Sequence, residues 1–168
     1  MGIFCAIWQL APDTIQDLEA DPSIIEDVIE ELKDYNQELE ESDKVYLDLD
    51  KSWSMLSFLI TKKFKDSEFG FLTKSGETVG DIDLGYGPAR YLSPDSVRKI
   101  VRHFGNTSIK DLWQGLALAD VPEKERYPFS VDEPLEEVLE NLSTHFAKLK
   151  DFLARTTKLG RGILVYMF

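Results

Sequence analysis

Both ends of the sequence are apolar, and this feature constrains the fold more than any other. The last seven residues, Gly162–Phe168, form an uninterrupted apolar run. The first ten, Met1–Leu10, are rich in aromatic and β-branched side chains. Short apolar runs of this kind, beside turn-forming glycines, are typical of buried strands. We therefore expect each end to form a strand of one sheet, with the two strands side by side.

Most of the chain between these ends carries helical patterns, in which apolar residues recur at intervals of three and four. The clearest predicted helix runs from about Glu133 to Leu159 and ends at Gly160. Ser93, followed by proline and aspartate, is a strong cap for another helix that ends at Gly105. Further helices are predicted over residues 12–20, 22–40, 53–61 and 107–119.

The segment 62–91 differs from the rest, because it contains five of the ten glycines together with Pro88. Such residues indicate turns, short strands and a long connection. The sequence shows no internal repeat and no linker. We therefore predict an α+β fold, in which residues 1–168 form a single compact helix-rich domain. Its small sheet includes the N- and C-terminal strands.

The charge of the chain is concentrated in its first third. The 168 residues carry 19 Lys and Arg against 31 Asp and Glu, a formal net charge of −12. Residues 13–50 hold 15 of the acidic side chains but only two lysines, so their net charge is −13, and the remainder is close to neutral. Phosphate backbones and anionic membranes are bound by an excess of Lys and Arg. The excess of acidic over basic side chains therefore argues against direct binding to nucleic acid and against binding to a membrane surface.

The helix predicted over residues 22–40 lies inside this acidic segment. Its apolar stripe includes Ile25, Val28 and Ile29. The opposite face carries five carboxylates, namely Glu26, Asp27, Glu30, Glu31 and Asp34. This face is either an ordinary solvated helix face or a docking surface for a basic protein.

The sequence contains none of the common catalytic or cofactor motifs, such as GxxxxGK[ST], GxSxG, HExxH or CxxC. Asp48-x-Asp50 begins like a calcium loop, but Trp53 stands where such a loop requires glycine. Cys5 is the only cysteine, so no disulfide forms within the chain, and its apolar neighbours indicate burial. We therefore predict no catalytic residue, metal or cofactor. The absence of a targeting segment and of a long apolar stretch favours a cytoplasmic protein.

Arg90 is the residue most suggestive of a ligand site, because it follows a Gly-Pro turn and has Tyr86 and Tyr91 nearby. A guanidinium between aromatic rings can present its planar fork to a carboxylate or a phosphate. The same side chain can instead hold its own loop, by stacking or by an ion pair with Asp83.

Asp50 and Trp53 join Tyr86, Arg90 and Tyr91 as candidate ligand-binding residues. Trp53 has a simpler interpretation as part of the core, and Asp50 has one as a cap of the helix that follows.

Several motifs together resemble the YfbM-like family, a family of domains of unknown function. The first is Met1-Gly2-Ile3, and the second is Leu47-Asp48-Leu49-Asp50-Lys51-Ser52-Trp53 running into Leu56-Ser57-Phe58-Leu59-Ile60-Thr61. The others are Gly87-Pro88-Ala89-Arg90-Tyr91-Leu92-Ser93-Pro94 and the closing Gly162-Ile163-Leu164-Val165-Tyr166. Their order spans almost the whole chain.

The resemblance implies a compact bacterial domain of α/β type without an established activity, cofactor or partner. Relatives often carry histidine four residues after the motif tryptophan, where this chain has Ser57. Asp50, Trp53, Arg90 and Tyr91 match the family pattern, which makes them the better candidates for a shared site.

The sequence thus supports two functions of different kinds. The first is a non-enzymatic interaction or regulatory protein, of the immunity or antitoxin kind, that docks a basic partner through its acidic helix. The alternative is a small-molecule binder or weak enzyme with a cleft around Trp53 and Arg90.

Overall fold

A computed structural model of the chain describes residues 2–168. Over this range it has five strands and seven α-helices. The strands are β1 (Cys5–Leu10), β2 (Tyr46–Asp48), β3 (Glu77–Thr78), β4 (Arg90–Leu92) and β5 (Gly162–Met167). The helices are α1 (Pro12–Ala20), α2 (Ile25–Glu38), α3 (Trp53–Lys63), α4 (Pro94–Phe104), α5 (Ile109–Trp113), α6 (Glu123–Arg126) and α7 (Leu135–Lys158). This confirms the predicted α+β class.

The strands form one antiparallel sheet in the order β2-β1-β5-β4-β3. β5 lies at its centre and pairs with β1 from Cys5 opposite Met167 to Leu10 opposite Gly162. A central strand that is covered on both faces needs apolar residues at successive positions. The prediction that the two apolar ends are neighbouring strands is therefore confirmed.

Alternate residues of β1 and β5 enter two separate apolar clusters, one on each face of the sheet. Ile7 and Val165 lie on the face that α3, α4, α5 and α7 cover, which we call the four-helix face. Trp8 and Tyr166 lie on the face that α1 and α2 cover, which we call the two-helix face. The sheet thus separates the acidic first third from most of the remaining helices.

Local signals set the helix ends. The Ser93 hydroxyl accepts a hydrogen bond from the Ser96 amide at the start of α4, as its position predicted. At the start of α2, Pro22 lies in a 3-10 turn, and the Asp21 side chain accepts from the Ser23 amide. Over residues 2–168, no helix combines the length and the apolar character that a membrane crossing requires.

One helix is much shorter than predicted. The one expected over 107–119 ends at Trp113, because Gly115 follows with a φ of 77°, a left-handed conformation that a helix does not contain. The acidic helix ends at Glu38, close to the predicted position. The segment 62–91 is irregular, as its glycines indicated, apart from the short β3 and β4 and a 3-10 turn at Ser67–Gly70.

Candidate functional site

The exposed face of α2 carries an acidic surface, which we define as Glu26, Asp27, Glu30, Glu31 and Asp34. All five side chains are exposed. The opposite face of the helix is fixed by Ile25, Val28 and Ile29, which are buried on the two-helix face of the sheet. The carboxylates are therefore held on an ordered element.

This acidic surface is scarcely neutralised by the rest of the chain. Lys33 Nζ lies 2.8 Å from Glu30 Oε1. The other lysine of the acidic segment, Lys44, donates from Nζ to the main-chain carbonyl of Asn36 at 2.7 Å. Over residues 2–168, the remaining four carboxylates of the surface form no ion pair. The negative potential of α2 is therefore directed at solvent.

An aromatic cleft adjoins the acidic surface, with a cavity volume of about 650 Å³. Its walls come from β1, β2, β5 and α2, and from the loop that contains Leu84. Its lining residues are Trp8, Glu26, Ile29, Glu30, Lys33, Tyr46, Leu84, Tyr166 and Phe168. The rings of Trp8 and Tyr46 lie 4.5 Å apart between centroids, and those of Tyr166 and Phe168 lie 6.0 Å apart. Two carboxylates thus border a pocket of aromatic side chains.

The side chains in the cleft have a defined charge state. The hydrogen bond to Glu30 raises the pKa of Lys33, and Tyr166 adds to this shift, so the ammonium stays protonated. Burial raises the pKa of Tyr46, so its phenol stays neutral. Lys33 is therefore charged and Tyr46 neutral at physiological pH.

Arg90 lies elsewhere, on the four-helix face of the sheet, where it pairs in register with Val165. Its Nη1 donates to the carbonyl oxygens of Phe71 and Ser75, at 3.2 and 2.6 Å. Burial lowers the pKa of the guanidinium. These contacts attach β4 to the turn at residues 70–75.

The ion pair proposed between Arg90 and Asp83 is not present. The Asp83 carboxylate accepts instead from the Gly85 and Gly87 amides, both at 2.8 Å. These two backbone hydrogen bonds hold the pKa of Asp83 below its usual value.

The two tyrosines near Arg90 do not enclose its guanidinium. Tyr91 is the next residue of β4, so its side chain leaves the other face of the sheet, where its hydroxyl donates to Glu19 Oε1 at 2.5 Å. Tyr86 is 59% exposed in the loop before β4. The prediction of a guanidinium between two aromatic rings is thus corrected, because strand alternation separates neighbouring side chains.

Trp53 is partly buried, and its Nε1 donates to the Ile3 carbonyl at 2.8 Å. It borders a depression of about 390 Å³ together with Lys51 and Tyr127, and Arg90 is not among the lining residues. The structure therefore places Trp53 and Arg90 in different surroundings.

Asp50 does not cap the helix that follows. It adopts a φ of 49°, and its amide donates to Asp48 Oδ1 at 2.7 Å. Ser52 occupies the N-cap position of α3 and makes no side-chain capping bond. Ser57, at the position where relatives often have histidine, is buried, with its hydroxyl 3.4 Å from that of Thr73. A ligand site built on the Asp50, Trp53 and Arg90 group stays a prediction.

Sequence reasoning did not identify the aromatic cleft. Trp8 and Tyr46 are opposite each other in the β1–β2 register, whereas Tyr166 and Phe168 come from the other end of the chain. The signal in the sequence that could have indicated the cleft was the pair of aromatic residues at alternate positions, Tyr166 and Phe168. These residues come to lie next to the acidic segment only when the chain folds.

Comparison with known proteins gives a family and a fold. The family model "Domain of unknown function (DUF1877)" matches residues 1–166. The crystal structure of YfbM from Escherichia coli, a protein of unknown function, superposes with a TM-score of 0.65 at 15% sequence identity. That alignment covers 98% of this chain and 99% of the other. No curated protein matches the chain.

Proposed function

Because this chain belongs to the DUF1877 family of domains of unknown function, we propose a function from its own surface: it docks a basic protein partner through the acidic surface of α2. In this proposal, the chain is a non-enzymatic, cytoplasmic interaction or regulatory protein. The observation that carries the proposal is the row of five exposed carboxylates on α2, of which only Glu30 has an ion-pair partner within the described residues 2–168.

A surface of one sign has two effects on association. It accelerates the encounter with an oppositely charged protein, and it disfavours partners of the same sign. Carboxylates on a fixed helix also resemble the phosphates that a nucleic-acid-handling protein binds. The surface therefore suits an immunity-like or antitoxin-like role, in which a basic target is held by α2.

The experiment is a pull-down of cellular proteins with the tagged full chain. The test variant combines Glu26→Lys, Glu30→Lys and Asp34→Lys on α2. The control combines Glu136→Lys, Glu137→Lys and Glu140→Lys, which are exposed on α7 on the other face of the sheet. Both variants change the net charge equally, and circular dichroism establishes that each is folded.

We expect the native chain and the α7 control to retain a basic partner that the α2 variant loses. Retention should fall as salt rises, because exposed charges more than about 10 Å apart are screened at about 0.1 M salt. Identical partners for all three proteins would refute the proposal. Loss from both variants would show that net charge alone, and not α2, determines binding.

A further inference from the structure

The aromatic cleft combines two chemistries that together select a cation. The carboxylates of Glu26 and Glu30 lie one helical turn apart at its border, and the aromatic rings of the sheet and of Phe168 form its walls. The negative faces of aromatic rings attract a cation that lies over them. The volume of about 650 Å³ falls within the range of about 300–1,000 Å³ that is typical of ligand pockets.

The chain already places one cation in this cleft. Lys33 lines it, with its ammonium 2.8 Å from Glu30. Lys33 is also half exposed, at 46% of its side chain. An incoming cation can therefore replace it at Glu30 while the lysine turns to solvent.

The indole ring of Trp8 forms part of the cleft wall. The Trp8 side chain is only 4% exposed and lines the cleft, and its Nε1–H has no hydrogen-bond partner over residues 2–168. The Nε1 atom itself is shielded from solvent, so a ligand in the cleft meets the ring of Trp8 and not this donor.

We propose that the aromatic cleft receives an arginine side chain of the basic partner, with the guanidinium between the rings and the Glu26 and Glu30 carboxylates. This inference rests on the function proposed above. Arginine fits better than lysine because its planar guanidinium stacks on rings and presents a fork to carboxylates, while an ammonium is a strongly hydrated point charge.

The probe is the peptide acetyl-Gly-Arg-Gly-amide, titrated into the full chain labelled with nitrogen-15. The matched peptides carry lysine, or citrulline, which keeps the shape of arginine without its charge. The indole N–H signals of Trp8, Trp53 and Trp113 report the binding position. Trp113 is the internal control, because it is also buried without a partner but lies on the four-helix face.

We expect the arginine peptide to shift the Trp8 signal saturably, with the Trp53 and Trp113 signals unchanged. The lysine peptide should bind about two-fold to five-fold more weakly, the effect of a stacking difference near 0.5–1 kcal/mol. The citrulline peptide should give no saturable shift. Equal binding of the arginine and lysine peptides would overturn the assignment, as would an unmoved Trp8 signal at about 20 mM peptide.

Two lysine variants provide a charge-matched test. Lys33→Gln frees Glu30 and should tighten binding of the arginine peptide about three-fold, whereas Glu30→Gln should weaken it. Lys110→Gln changes the net charge equally, but Lys110 is exposed on α5 behind the sheet, and this variant should leave affinity unchanged. Equal tightening by both lysine variants would show that only net charge matters, which contradicts the inference.

The pull-down separates this inference from the proposed function. Phe168→Ala and Trp8→Phe alter the cleft without changing a charge. If these variants keep a partner that the α2 charge-reversal variant loses, the acidic surface docks a partner but the cleft does not receive it. If the arginine peptide binds in the cleft while α2 charge reversal leaves every partner unchanged, the proposed docking function fails instead.

Discussion

Replacing Arg90 with methionine tests whether this residue holds its own fold together or serves a ligand. Methionine keeps an unbranched apolar stem but removes the guanidinium. The substitution therefore leaves the carbonyls of Phe71 and Ser75 without their donor. The turn at residues 70–75 then loses its attachment to β4.

The expected loss follows from these contacts. A hydrogen bond to a charged group contributes about 1.5–3 kcal/mol, so two of them give about 3–6 kcal/mol. The native protein also desolvates the guanidinium, whose pKa burial lowers, and methionine removes that cost. We therefore expect Arg90→Met to lower the free energy of unfolding by about 2–3 kcal/mol. In a protein of this length, that is a decrease in Tm of about 5–10 °C.

Urea denaturation followed by circular dichroism measures the loss. Arg90→Lys keeps the charge but offers a compact ammonium instead of a fork, so we expect an intermediate loss of about 1 kcal/mol. The control is Arg102→Met, because Arg102 is exposed on α4 and should change stability by less than about 0.5 kcal/mol. Hydrogen exchange gives a local measurement. The Thr73, Lys74 and Ser75 amides all donate to the Gly70 carbonyl, and they should exchange faster in Arg90→Met.

A stability of Arg90→Met within about 0.5 kcal/mol of the native protein would refute this reasoning. Arg90 would then be available for a ligand, as the alternative function requires. A loss of stability without faster exchange at residues 73–75 would also contradict it, because the destabilisation would then arise somewhere other than the turn.

Three further outcomes can be measured on the same preparations. The pKa of Asp111 is lowered by its hydrogen bonds from Ser108. Its contribution to stability is therefore present above the ordinary value of 3.8 and is lost as the pH falls through the lower folded value, so the stability difference between the native chain and Asp111→Asn should shrink as the pH falls below 3.8. Burial raises the pKa of Cys5 to about 12, so iodoacetamide at about pH 8 should label it only as fast as the protein unfolds, and labelling at the rate of a free thiol would contradict its burial. Asp34→Asn should raise the free energy of unfolding by about 0.5 kcal/mol, because it removes a negative charge that lies four residues from both Glu30 and Glu38. If urea denaturation gives a lower free energy of unfolding for this variant, those charges do not repel one another.

The sheet and most helices follow from the sequence because their signals are local. The run Gly162–Phe168 has no polar face, so a central strand is the arrangement that buries it. Ser93 caps its helix through an amide only three residues away. The helix predicted through residue 119 ends early because Gly115 outweighs the apolar periodicity that continues beyond it.

The candidate site could not be predicted in the same way, because its contacts join distant parts of the chain. The facing of Trp8 and Tyr46 depends on the β1–β2 register, and the approach of Phe168 depends on β5 lying beside β1. The partners of Arg90 are main-chain carbonyls, which every residue possesses and which therefore leave no trace in the side-chain pattern.

The arrangement of charge on α2 gives the docking proposal support that exposure alone does not. A solvated helix face needs charge, but it does not need charge of one sign. On α2, like charges stand four residues apart at Glu26 and Glu30, Asp27 and Glu31, Glu30 and Asp34, and Asp34 and Glu38. These four pairs cost roughly 1–2 kcal/mol in total.

The long helix α7 of the same chain shows the alternative. Acidic residues Glu136 and Glu137 lie in its first turn, and basic residues Arg155 and Lys158 lie in its last, as the helix dipole favours. Arg155 also pairs with Asp151, four residues earlier, at 3.2 Å. α2 has acidic residues in its first turn, Glu26 and Asp27, but no basic residue in its last turn, so it has only half of this stabilising arrangement. The pattern of α7 satisfies both solvation and stability, so neither requirement explains the excess of carboxylates on α2, where Lys33 is the one basic residue. A surface that must attract a basic partner accounts for it, because each added cation would weaken the attraction that docking requires.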